Sequence, residues 1–174
     1  MHNINKILVA LDGSDVSMKA FSWASDLACV FSSELIVLTV SDKRKTPEDE
    51  TSPAFMTDRE VKNLVEEYAE KYEDLLKTIT QKCAEADVAV STVTLHGIPS
   101  EEIVQLATDE EADLIVMGAH GKKEEFYHEF TSTSERVLKK SPCPVLMVVP
   151  ERKREKTKPG EPKQKKYTPI LHST

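Results

Sequence analysis

The residues of this chain best suited to chemistry stand where apolar segments end. Asp12-Gly13-Ser14 follows the run Ile7-Leu8-Val9-Ala10-Leu11, and Ser41-Asp42 follows an apolar stretch closing on Val40. Gly118-Ala119-His120-Gly121 follows Asp113-Leu114-Ile115-Val116-Met117. A glycine directly after a buried strand lets backbone approach a ligand closely, and Gly121, three residues on, permits a tight turn. Thr131-Ser132-Thr133-Ser134 offers hydroxyls and main-chain N–H groups ahead of a short helical pattern. The positive end of a helix there is a seat for phosphate oxygens. This is binding chemistry. No nucleophile–base pair can be named and no P-loop G-x-x-x-x-G-K is present, so turnover is at most slow.

Each of these residues also has a plainer role open to it. Asp12 can cap the next helix or bond within its own turn, and the two glycines can serve a turn alone. Ser132 and Ser134 can be N-caps, with Arg136 and Lys139 suiting the far end of their helix. His120 reads as a loop residue, His96 has no companion for metal binding, and Phe126, Tyr127 and Phe130 read as packing a loop down. Position at the carboxyl ends of strands is what favours the binding role.

The elements that must position these residues alternate. Residues 7–11, 35–40, 113–118 and 145–149 are continuous apolar runs of strand length, as for strands covered on both faces. Residues 88–95 alternate weakly with Ser and Thr, as at a sheet edge, and residues 96–99 turn the chain. One helix carries Ala20, Trp23, Ala24, Leu27, Ala28 and Phe31 as one stripe, with Ser14 or Asp15 as its cap. A long second helix presents Val61, Leu64, Val65, Tyr68, Tyr72, Leu75, Leu76, Ile79 and Cys83 on one face. A third opens at Ser100, and a fourth covers residues 134–140. Residues 41–56 read as a mobile loop. Alternating strands and helices give an α/β fold, a five-stranded parallel sheet with helices on both faces. Ligands of such sheets sit beyond the carboxyl ends of the strands, where strand order reverses.

Composition narrows the function. The 174 residues carry a net charge of −7, split between a body at −12 and residues 151–174 at +5. An acidic body argues against nucleic-acid binding, since phosphate neutralisation supplies most of that affinity. The basic tail has no periodicity and reads as disordered, leaving a domain over residues 1–150. No apolar run reaches the roughly 18–20 residues that cross a bilayer. Residues 7–11 are too short for a signal-peptide core, so a cytoplasmic location is expected. Cys29, Cys83 and Cys143 form no C-x-x-C and fall on apolar faces, where thiols act as small hydrophobes.

Three segments together resemble the universal stress protein family: residues 7–14, residues 113–121, and residues 132–148 with Ser141-Pro142-Cys143-Pro144 between helix and strand. The resemblance covers about residues 4–150. It implies strand order 3-2-1-4-5 and, as in many members, a bound adenine nucleotide (ATP, or AMP or ADP). The family's pattern is glycine, two residues, glycine, nine residues, then glycine and a hydroxyl residue. Gly118, Gly121 and Ser132 fit it, and Thr131 stands where the third glycine would be.

By the same resemblance Asp12, with Ala10 and Leu11 beside it, meets the ribose or adenine. Val40 meets the adenine through its backbone, Met117 lines the base pocket, and Ser132, Thr133 and Ser134 lie near the phosphates. Glu124, Glu125 and Glu129 would repel a triphosphate unless Mg²⁺ or Lys122 and Lys123 intervene. The resemblance also implies a homodimer through the edge strand 145–149, which suits an apolar edge that needs covering. The alternative is an interaction or scaffold protein of the same fold in a stress response that has lost the nucleotide, and a third reading is a weak ATPase.

Overall fold

The computed structural model describes residues 3–42, 57–119 and 132–149. In chain order these form β1 (Lys6–Leu11), α1 (Asp15–Phe31), β2 (Glu34–Asp42), α2 (Asp58–Glu85), β3 (Val90–Gly97), α3 (Pro99–Asp109), β4 (Leu114–Gly118), α4 (Ser132–Lys140) and β5 (Val145–Val148). The five strands make one sheet in the order β3-β2-β1-β4-β5, every pair parallel. This is the expected α/β architecture. Strand order therefore reverses at β1, which has β2 on one side and β4 on the other.

Side-chain alternation along the strands feeds two apolar layers. Ile7, Val9, Leu11, Leu35, Val37 and Val116 point into one layer with Ala20, Phe21, Ala24 and Ala28 of α1 and Ile79 and Cys83 of α2. Leu8, Ile36, Leu38, Ile115 and Met117 point into the other with Ile103 and Ala107 of α3 and Val137 of α4. Burying each large aliphatic side chain contributes about 1.5–3 kcal/mol, so both layers hold the sheet strongly. At the opposite end of the sheet from the candidate site, the Asp113 carboxylate accepts from the N–H groups of Asn5 (2.7 Å) and Lys6 (3.0 Å), fixing the start of β1 beside β4.

Several expectations are corrected. On α1 the stripe is centred on Ala20, Ala24 and Ala28, whose small side chains let the helix approach the sheet; Trp23 is 56% and Phe31 46% exposed, while Phe21 is buried. Cys29 is exposed on α1, so only Cys83 is a fully buried thiol and Cys143 is half-buried. Strand β3 runs on through His96 and Gly97, which pair with Ser41 and Asp42, so the turn begins later than expected. A Cβ on Gly97 would run into the Glu102 side chain at the start of α3. Helix α3 opens at Pro99, with no side-chain cap. Helix α4 begins at Ser132, so Ser132, Thr133 and Ser134 form its first turn rather than preceding it. On the face of α2, Tyr72, Ile79 and Cys83 are buried; the side chains of Val61, Leu64, Val65 and Tyr68 lie outside the description. Residues 43–56 and the 151–174 tail also fall outside the described residues.

Candidate functional site

At the point of reversal, β1 ends beside β4. Ala10 is in register with Met117 on one side and with Leu38 on the other. All three face the α3–α4 layer, as do Val40 and Leu95 further along the sheet. Coverage of this face changes abruptly along β1. Leu8 is fully buried, yet Ala10, in the central strand and two residues nearer the carboxyl end, is only half-buried; Val40 is likewise half-buried. The helical layer thus leaves an apolar shelf open at the carboxyl edge. Leu11 points the other way, into the α1–α2 layer, so only its main chain can face a ligand.

The polar rim of the shelf starts at Asp12. Its Oδ1 accepts from the Ser14 N–H at 2.9 Å, an Asx turn of the kind Asp favours. Gly13 between them has φ 73°, the left-handed region that glycine enters without a Cβ penalty. Ser14 then caps α1, its Oγ accepting from the Ser17 N–H at 3.1 Å, while Ser17 Oγ donates to the Ser14 carbonyl at 2.9 Å. Both plain roles considered, a bond within the turn and a cap on α1, are thus filled, the first by Asp12 and the second by Ser14. Asp12 also receives a bond from outside its turn: the Tyr72 hydroxyl of α2 donates to its main-chain carbonyl at 3.0 Å. Tyr72 was legible in the sequence only as one more apolar position; its polar tip was the available signal.

Across the reversal, Gly118 closes β4 in register with Val148 of β5, and the Ala119 N–H donates to the Val148 carbonyl at 2.8 Å. Ser134, 1% exposed, donates its hydroxyl to the Ala119 carbonyl at 3.2 Å, fixing the first turn of α4 against the end of β4. Ser132 is exposed and Thr133 half-buried on that same turn. Ala10, Leu11, Asp12, Val40, Met117, Gly118, Ser132, Thr133 and Ser134 therefore all belong to the carboxyl edge or the helix end tied to it. Gly121 and Thr131 lie outside the described residues, as do His120, the three glutamates of the 122–130 segment and its aromatic residues.

An open groove of about 820 Å³ lies along α2 and the edge strand β3, lined by Glu73, Leu76, Lys77, Thr80 and Thr92 among others. None of the residues at the strand-order reversal lines it. Among the described residues no cluster of three or more His, Cys, Asp or Glu is arranged to hold a metal ion, and no helix is long and apolar enough to cross a membrane.

The model of the universal stress protein family matches residues 3–149. The chain belongs to the universal stress protein family. Universal stress protein MJ0531 of Methanocaldococcus jannaschii is 34% identical over 145 residues, covering 82% of this chain and 81% of that protein. Universal stress protein YxiE of Bacillus subtilis is 32% identical, over 83% of this chain and 98% of its own length. The solved structure of MJ0577, which is also a universal stress protein of M. jannaschii, superposes with a TM-score of 0.73 at 31% identity, covering 87% of this chain and 99% of that one. Two more distant structures share the fold: a universal stress protein in complex with cAMP (22% identity, TM-score 0.56) and one from Archaeoglobus fulgidus in complex with dAMP (17%, TM-score 0.57). They cover 84% of this chain each, and 98% and 99% of their own lengths.

Proposed function

We propose that this universal stress protein binds an adenine nucleotide at the carboxyl edge between β1 and β4, and that its bound state, rather than turnover, is read by partners. The observation that carries this reading is the half-open apolar shelf at Ala10 and Val40 beside the Asp12 turn. A flat purine needs an apolar surface with polar groups at its margin, which ligand sites generally supply. On this reading Ala10, Val40 and Met117 take the base, with Leu11 and Val40 offering main-chain groups. The Asp12 carboxylate takes a ribose hydroxyl. Gly118 and Gly121 bring backbone close to the phosphates, and Thr131, Ser132, Thr133 and Ser134 present the start of α4 to them. ATP is the favoured ligand, with AMP or ADP as its shorter relatives and Mg²⁺ offsetting Glu124, Glu125 and Glu129.

Two distant proteins of this fold hold cAMP and dAMP, which supports the compatibility of the architecture with such a ligand. A homodimer through β5 belongs to the same proposal. Among the described residues β5 pairs with β4 alone, and Val149, which follows it, is 60% exposed.

A second reading, an interaction protein of this fold without nucleotide, is favoured by Thr131 in place of a glycine and by the three glutamates. One experiment separates the two. Protein purified from cells is denatured, and the released small molecules are read by absorbance and mass. Nucleotide near one equivalent supports binding. A preparation free of it that also takes up no added ATP contradicts binding.

A further inference from the structure

We infer that Tyr72 is a positioning residue for the nucleotide site, acting through the Asp12 main chain; this rests on the nucleotide reading above. Tyr72 is 8% exposed and lies on the face of α2 that carries Ile79 and Cys83, so its ring is held by burial. Its hydroxyl reaches past the last residue of β1 and donates to the Asp12 carbonyl at 3.0 Å. That carbonyl lies beyond the β1 ladder, which ends at Leu11. The next peptide enters Gly13 at φ 73°, a conformation glycine leaves as easily as it enters. The Asx bond from Ser14 to Asp12 Oδ1 spans only two residues and moves with the turn it closes.

Tyr72 is different in kind. It comes from α2, sixty residues along the chain, and refers the turn to the sheet's packed α1–α2 layer. With the carbonyl fixed, rotation about the Asp12 backbone is restrained, and with it the placement of the carboxylate that the turn carries. Preorganisation of this sort strengthens binding by removing the cost of ordering the contact at the moment the ligand arrives.

Tyr72→Phe removes the hydroxyl and keeps the ring. Affinities for ATP and for adenosine are measured by calorimetry well below the unfolding temperature of either protein, where loss of global stability does not change the folded fraction. Both should weaken by the same factor, about three- to tenfold, the equivalent of one net hydrogen bond. An unchanged affinity, or a loss for ATP with none for adenosine, overturns the assignment while leaving the nucleotide reading intact. No binding of either ligand to the unaltered chain overturns the nucleotide reading and the role of Tyr72 with it. Should Tyr72→Phe not fold, the Gly13 amide of the unaltered, nucleotide-free chain is followed by relaxation dispersion. An amide free of microsecond-to-millisecond exchange supports the inference, and exchange on that timescale overturns it.

Discussion

Ser134 and Ala119, fifteen residues apart, are joined by a hydroxyl-to-carbonyl bond of 3.2 Å in a place where neither residue meets solvent. This bond ties the first turn of α4 to the strand end that carries Gly118. Ser134→Ala leaves a buried carbonyl without that donor, and such groups cost about 1–3 kcal/mol. The midpoint of urea unfolding should fall by that amount with an unchanged slope. A variant as stable as the original would show that the bond does not hold α4 in place.

Burial pushes the Cys83 thiol up from its ordinary value of 9.0, opposed by a smaller effect of its hydrogen bond with Ser25. Burial acts in the same direction on Cys143. In the unfolded chain these thiols ionise first as pH rises, so the unfolded state then holds fewer protons than the folded one. Their contribution to stability is therefore complete below about pH 9 and is lost as pH climbs through the folded values. Cys83→Ala should flatten the decline in stability between about pH 8 and about pH 11. An equally steep decline in the variant would contradict the assignment. Maleimide labelling provides a second check: exposed Cys29 reacts in the folded protein and Cys83 only after denaturation.

Gly118→Val places a branched side chain where β4 meets the proposed ligand. Alternation from Met117 directs that side chain away from the α3–α4 face, so it bears on the proposed approach of the phosphates to the strand end rather than on the base. Affinity for ATP should fall at least about tenfold, or about 1.4 kcal/mol. Equal ATP affinity in this variant, with its fold intact by circular dichroism, would remove Gly118 from the site.

Much of this was readable before any coordinates, for physical reasons that differ by element. β1, β2 and β4 are apolar runs because both faces of each are covered, and such runs stand out from polar loops; β5 is equally apolar although three of its four residues are half-buried at the edge. β3, at the open edge, needs only one apolar face. Its Ser and Thr residues blur where it begins and ends, and the Thr39–Thr94 hydroxyl pair at 3.0 Å uses one of them inside the sheet. On α1 the bulky residues pulled the predicted stripe toward Trp23 and Phe31, whereas the packing is decided by Ala20, Ala24 and Ala28. That Asp12 and Gly118 stand at the ends of neighbouring strands agrees with the strand order the resemblance implied. What periodicity could not supply was direction: Leu11 turning away from the shelf, Ser134 donating to Ala119, and Tyr72 reaching Asp12 are each set by tertiary contact.

The most direct trial of the nucleotide site is a titration of ATP into isotope-labelled protein, followed by its backbone amide resonances. Saturable shifts concentrated at Asp12, Gly13 and Ser14, at Gly118 and Ala119, and in the first turn of α4 are the predicted result. A spectrum that does not change, or changes confined to the groove between α2 and β3, would contradict it.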